Sequence, residues 1–179
     1  MNSIIKRNCL ISKCKNYRWK LNIKLSYSFR EIIFIGLNPS LSDNKYTDNT
    51  TRKIIKISEN YKYGNIKIIN LFAFISKSPR VLKKQHNPIG FLNDEIINKT
   101  LIYWSMNKNC DLWLGWGNNG NFLDRNLEVE KMVKKYLFIK RKEFSNTKAP
   151  LLIKETKLKN PIHPLYTSNQ SSLKEYLIY

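Results

Sequence analysis

The sequence predicts an α/β protein: a three-layer α/β/α sandwich around a short, mainly parallel central sheet. Three apolar runs of strand length carry that prediction: Glu31-Ile32-Ile33-Phe34-Ile35-Gly36, Ile66-Lys67-Ile68-Ile69-Asn70-Leu71 and Asp111-Leu112-Trp113-Leu114-Gly115-Trp116. Near-continuous apolar strands are those covered on both faces. Segments with helical spacing separate them, and strands alternating with helices give a parallel sheet. No linker or repeat interrupts the alternation, so residues 1–179 are expected to form a single domain.

In chain order, residues 1–30 alternate loosely (Tyr17, Trp19, Leu21, Ile23, Leu25) with Arg and Lys between them, predicting one or two strands with a basic outer face. The strand at 31–36 empties into a polar loop over 37–50. Thr50 or Thr51 is expected to cap a helix in which Ile54, Ile55, Ile57 and Tyr61 keep helical spacing. Gly64-Asn65 marks a turn before the second strand, and a long loop then runs to about residue 92. Asn93 is expected to cap a helix carrying Ile96, Ile97, Leu101 and Trp104. After the third strand, Gly117-Asn118-Asn119-Gly120 leads into a helix with Leu123, Leu127, Met132 and Tyr136. A short fourth strand is expected near 136–139 or 151–153. Asn160-Pro161-Ile162-His163-Pro164-Leu165-Tyr166 is too rich in proline for a helix and reads as a rigid loop.

With 42% hydrophobic residues the chain can build a real core. No apolar run approaches the ~18 residues of a membrane span. Lys6 and Arg7 are followed by no signal-peptide block, so a cytoplasmic protein is expected. Three cysteines (Cys9, Cys14, Cys110) leave one over in any disulfide scheme and are too few for a four-cysteine site. Reduced thiols, no metal and no cofactor are expected. The formal net charge of +19 favours a polyanion. Coding bias explains part of it, because 25 Lys stand against 7 Arg beside 22 Asn and 22 Ile. Such bias would also supply Glu, yet only 13 acidic residues balance the 32 basic ones. Nucleic acid is therefore the expected partner, ahead of a membrane surface or the ribosome.

Chemistry in parallel sheets gathers at the carboxyl ends of the strands. That edge collects Gly36, Asn38, Pro39 and Ser40 after strand one, Asn70 and Phe72 after strand two, and Trp116 after strand three, with the His163 loop able to fold over it. Each group has a plainer reading. Gly and Asn-Pro form ordinary turns, a histidine between prolines can bond backbone in a stiff loop, Asn70 can hold loop backbone, and tryptophans on a strand can be core. GxxxxGK[ST], HExxH and GxSxG patterns are absent, which sets aside nucleoside-triphosphate, zinc-protease and serine-hydrolase chemistry.

The order of the motifs carries a resemblance. GLNPS (36–40), IINLFAF (68–74), LWLGWG (112–117) and HPLY (163–166) resemble the uracil-DNA glycosylases. There a GQDPYH or GINPG turn follows strand one, an LLLN-type strand ends in a base-reading Asn, an LLWG strand comes third, and an HPSPLS loop closes the site. The mismatch-directed branch, with GINPG, is the more similar because it too has Asn in third place. From about Arg18 to Tyr166 the chain also resembles a bacterial family catalogued as a domain of unknown function, through LNPS, Asp48-Asn49-Thr50 with Arg52, Asn70-Leu71-Phe72-Ala73, Asn87-Pro88-Ile89-Gly90 with Asn93 and Asp94, Trp116-Gly117 and HPLY. The resemblance implies a monofunctional DNA glycosylase of the uracil-DNA-glycosylase-like fold that takes a base flipped out of DNA, double-stranded by expectation. It implies that Asn38 holds the attacking water, His163 donates to the departing base, Asn70 reads the base edge, Leu165 fills the gap in the duplex, and Tyr46 or Phe72 stacks on the base. Asn38 stands where the fastest members have Asp and cannot take a proton; Asp43 or Asp48 would supply the base, with Asp48 the candidate. Ser40 stands near a bulky Tyr of the strict uracil enzymes, which opens the pocket to a modified pyrimidine. A glucosylated hydroxymethylcytosine of phage DNA, removed in antiviral defence, is one such base. Uracil or mismatch repair, a nucleic-acid-binding module without catalysis, and a nucleoside or nucleotide hydrolase are the alternatives.

Overall fold

The computed structural model describes residues 4–40 and 47–178. In chain order the elements are strands β1 (Lys6–Ile11), β2 (Arg18–Lys24) and β3 (Glu31–Gly36), helix α1 (Asn49–Asn60), β4 (Asn65–Asn70), the short α2 (Pro79–Lys83), α3 (Asn93–Ser105) and β5 (Cys110–Leu114). A kinked 3-10 segment (Asn118–Asp124), α4 (Arg125–Glu143), β6 (Leu151–Leu152), one 3-10 turn (Pro164–Tyr166) and β7 (Lys174–Glu175) follow. The seven strands form one sheet in the order β1-β2-β4-β3-β5-β6-β7. Its four central strands, β4, β3, β5 and β6, run parallel; β1 and β2 form an antiparallel hairpin beside β4, and β7 lies antiparallel to β6.

Alternation along β3 explains its unbroken apolar run. Ile32 and Phe34 join Ile54, Ile55 and Ile57 of α1 in one cluster, with Ile66, Ile68 and Trp113. Ile33 and Ile35 join a second cluster with Leu101 and Trp104 of α3 and Val129, Val133 and Tyr136 of α4. A strand buried on both faces has no polar alternate positions to offer.

Several local expectations are corrected. Asp48, not Thr50 or Thr51, caps α1: its Oδ1 accepts the Thr51 N–H at 2.7 Å, which sets a full negative charge at the positive helix end. Asn93 lies inside the first turn of α3 behind the N-cap Leu92, and its Nδ2 donates to the Asn70 and Leu71 carbonyls at 3.2 and 2.8 Å. The long loop holds α2, capped by Ser78 with Pro79 at its start. Of the two places expected for a fourth strand, 136–139 is the interior of α4 and 151–153 holds β6. The buried face of α4 runs through Val129, Val133, Tyr136 and Lys140, while Leu123 and Leu127 are exposed. Leu123 sits ahead of the helix in a left-handed kink, so it cannot set the helical phase.

Lys140 is buried yet hydrogen-bonded throughout. Its Nζ donates to the carbonyls of Trp104 (2.8 Å), Cys110 (3.1 Å) and Asn107, closing the carboxyl end of α3 with a cation. Cys9, Cys14 and Cys110 are free thiols, and burial pushes the Cys110 thiol up to about 12. No described helix is long and apolar enough to cross a membrane.

Candidate functional site

β3 and β4 end side by side, with Gly36 paired to Asn70. The missing side chain at Gly36 admits the Asn70 amide: a Cβ there would lie 2.8 Å from both Asn70 Oδ1 and the Phe34 ring. The backbone around Asn70 is clamped. Asn93 holds the Asn70 carbonyl, and both Asn93 and Arg125 Nε (2.9 Å) hold the Leu71 carbonyl. Arg125 is itself 2% exposed and paired with Asp94 and Glu128. Asn70 Nδ2 is buried and has no hydrogen-bond partner among the described residues. A buried donor left unmatched costs about 1–3 kcal/mol.

At the β3 exit, Asn38 Nδ2 donates to Pro39 O (2.9 Å), Ser76 O (3.0 Å) and Ser76 Oγ (3.1 Å). Two carbonyls at such distances accept only N–H, which fixes the orientation of the amide and leaves Oδ1, an acceptor, for a ligand. The loop is held in turn by Ser76 N–H donating to Pro39 O.

His163 opens the 3-10 turn, and its Nδ1 accepts the Leu165 N–H at 3.4 Å. That bond assigns the ring proton to Nε2. Burial drives its pKa down to about 4, against an upward pull from the Asp48 carboxylate. At neutral pH the group is therefore an uncharged imidazole with Nε2–H as its donor. Two glycines after β5 let this loop lie against the sheet edge. A Cβ on Gly115 would meet the Phe34 ring at 2.6 Å and Pro164 Cδ at 3.3 Å; Gly117, at φ +70°, would bring one 3.3 Å from His163 Cβ. Gly117 N–H also donates to Pro161 O at 2.8 Å.

These groups meet. Asn38, Asp48, Asn70 and His163 line one chamber of about 20 Å³, with Gly36 and Phe34 among its walls. That volume has room for about one water. It adjoins a cleft of about 470 Å³ in which Asn38, Ser40 and His163 reappear, together with Lys77, Trp116, Asn118, Asn119, Leu165 and Tyr166.

Other expected site residues are placed differently. Leu165 stands half exposed at the cleft rim. Pro39 is buried and acts through its carbonyl on the Asn38 amide. Trp116 lines the cleft but is 1% exposed, with its ring packed under Gly120, so it is a fixed wall. Phe72 is corrected outright: it is 0% exposed and packs on Phe122 at 5.5 Å in the core, and it lines neither cavity. Arg52 is exposed outside the cleft, donating to the Thr47 carbonyl from Nε (3.1 Å) and Nη2 (2.9 Å). Tyr46 and Asp43 lie outside the described residues. Arg18 was missed: it is 3% exposed and lines the chamber from the start of β2. In the sequence it is one more cation in a basic, alternating stretch, and only the tertiary fold turns it inward. Among the described residues no group of three or more His, Cys, Asp or Glu is arranged to hold a metal.

Fold and site together define a class: an α/β protein with a mixed sheet and a compact polar chamber at the carboxyl ends of its parallel strands. Residues 18–165 match the model of the family described as "protein of unknown function (DUF1643)", and the chain belongs to that family. No curated protein and no solved structure matches it.

Proposed function

We propose that the chain is a DNA glycosylase that hydrolyses the N-glycosidic bond of a modified pyrimidine and leaves an abasic site. One observation carries the reading: an amide acceptor, an unmatched amide donor, a neutral imidazole and a carboxylate converge on a one-water chamber beside a nucleoside-sized cleft. The two helix-packed faces of the sheet fit the three-layer, uracil-DNA-glycosylase-like form of the fold, which belongs to the same proposal.

The chemistry follows from the placement. Breaking the bond from the sugar C1′ to the base leaves the bonding pair on the base nitrogen and positive charge on the sugar. Asn38 Oδ1 accepts a hydrogen bond from the attacking water, whose oxygen bonds to C1′ and whose proton passes to Asp48. His163 Nε2–H donates to a base oxygen that gains negative charge, and a neutral donor does so without having to be protonated first. Asn70 Nδ2 finds its acceptor on the edge of the flipped base. Ser40 leaves the cleft open to a substituent at the pyrimidine C5. Glucosylated hydroxymethylcytosine in viral DNA is the substrate placed first, with antiviral defence in the cytoplasm as the role; uracil or mismatch repair stands second.

Asp48 also favours a rival reading. Its Oδ1 is engaged by the Thr51 N–H, and Asn38 cannot act as a base, which suits a module that binds a flipped base without cutting. Duplexes bearing uracil, a thymine mismatch, hydroxymethylcytosine or its glucosylated form, treated with protein and then alkali, separate the readings. Strand cleavage at one base supports the glycosylase, and tight binding without cleavage supports the module. Release of base from free nucleosides, independent of DNA, supports a nucleoside hydrolase. In the first case His163→Ala and Asn38→Ala each lower excision by roughly tens- to thousands-fold; full activity in both removes the site.

A further inference from the structure

Beyond the cleft, with Leu165 as the shared wall, lies a groove of about 800 Å³ lined by Thr47, Asn49, Arg52, Lys53, Lys56 and Asn169 among others. Among the described residues its lining holds three cations and no carboxylate. Arg7 adds a fourth cation at its edge, donating to Thr47 Oγ1 at 2.8 Å.

Arg52, Lys53 and Lys56 stand together on one side of α1. None of the three forms an ion pair among the described residues. Arg52 and Lys53 bond to backbone carbonyls, of Thr47 and Thr167, which orient the cations without neutralising them. All three occupy the first two turns of α1, where the helix dipole is already positive, and no acidic residue stands in the first turn. The cap Asp48 is buried and turned to the Thr51 N–H. A helix gains nothing from cations at that end, whereas a polyanion lying along it does.

We propose that this groove seats the phosphodiester backbone of the nucleic-acid strand whose base enters the cleft. The inference rests on the glycosylase reading for the identity of the strand, and on the sign and continuity of the groove for its place. Leu165 lines both cavities, so a strand crossing it has its base on the cleft side and its phosphates on the α1 side.

The test is the salt dependence of binding of a short labelled duplex and a labelled single strand, read by fluorescence anisotropy. The Arg52→Gln/Lys56→Gln protein is compared with wild type and with Lys131→Gln/Lys142→Gln, which removes two exposed cations from α4. Arg52 also holds a backbone carbonyl, that of Thr47, and glutamine there keeps an amide donor for it; Lys53, which ties α1 to Thr167, is left in place. Each lost phosphate contact makes the slope of log K against log salt shallower by about 0.9 on duplex and about 0.7 on single strands. The expected change for the α1 pair is therefore about 1.8 on duplex, so that raising salt from 50 to 200 mM weakens the variant roughly tenfold less than wild type. The α4 pair is expected to leave the slope unchanged. Equal changes in both variants would mean diffuse attraction and overturn the proposal. So would an unchanged DNA slope with lost binding to phosphatidylserine vesicles, which would assign the groove to a membrane. An unchanged slope with base excision intact removes the groove and leaves the glycosylase. A localised slope with no excision of any base keeps the groove as a nucleic-acid seat and removes the glycosylase. Absence of DNA binding by the wild-type protein removes both.

Discussion

Replacing Asn70 with Leu tests whether the site is strained toward its ligand. Asn70 Nδ2 is buried with no partner among the described residues, on a backbone fixed by Asn93 and Arg125. Leaving that donor unmatched costs the free protein about 1–3 kcal/mol, and a side chain of similar shape without the donor recovers it. In a domain of this size about 1 kcal/mol moves Tm by roughly 2–4 °C, so a gain of about 2 kcal/mol raises Tm by roughly 4–8 °C. On the glycosylase reading the same substitution removes the donor proposed to meet the base edge, and excision is expected to fall about tenfold or more. Calorimetry and an excision assay on the same preparation read both quantities. The diagnostic outcome is opposite signs: a more stable, less active protein. A fall in stability of several kcal/mol would show that the amide supports the fold, and the argument that it waits for a ligand would be wrong.

Other expectations follow from the same geometry. Asn38→Asp is expected to destabilise by about 2–4 kcal/mol and not to raise activity, since a carboxylate oxygen would replace the N–H2 facing Pro39 O and Ser76 O; urea midpoints at pH 7 check it. His163 stays neutral in the folded chain down to about 4 but takes a proton near 6.5 when unfolded. Between those values the unfolded state binds more protons, so stability falls as pH drops through that window, by up to about 3 kcal/mol less solvent screening at the partly exposed ring. His163→Gln is expected to flatten that stretch of the denaturation-versus-pH curve. Gly117→Ala combines a left-handed backbone with a contact on His163 Cβ; a loss of about 1–2 kcal/mol is expected, together with a larger proportional loss of excision than an exposed Lys142→Ala gives. Lys140→Met strips three carbonyls of their donor and is expected to cost about 2–4 kcal/mol in thermal or urea denaturation, with no effect on kcat at temperatures where the protein is folded.

The central strands were readable because burial on both faces leaves a continuous apolar run: β3 has the expected bounds, and β4 and β5 differ only at their ends. Helix caps were less readable. Asp48, Thr50 and Thr51 are all competent caps, and the choice falls to Asp48 because Thr51 is drawn into the core at 2% exposure. β6 and β7 are two residues each and carry no period. In the site, the placement of Asn38, Asn70 and His163 could be argued from strand ends and prolines. Whether an aromatic near a strand end faces ligand or core depends on what packs behind it, and Phe122 decides that for Phe72. Arg18 was hidden for the converse reason: a cation is assigned to solvent unless the fold supplies a polar chamber to receive it.

The chamber draws on parts of the chain far apart in order of synthesis, with Asp48 on one side and His163 on the other. At the usual pace of translation, the imidazole emerges roughly 6 to 20 s after the carboxylate. Until then a nascent chain carries the sheet edge without the imidazole that lines the chamber. On the proposed reading, a chain still on the ribosome holds Asn38, Asp48 and Asn70 without the donor to the departing base, and clipping the chain ahead of residue 163 removes that donor.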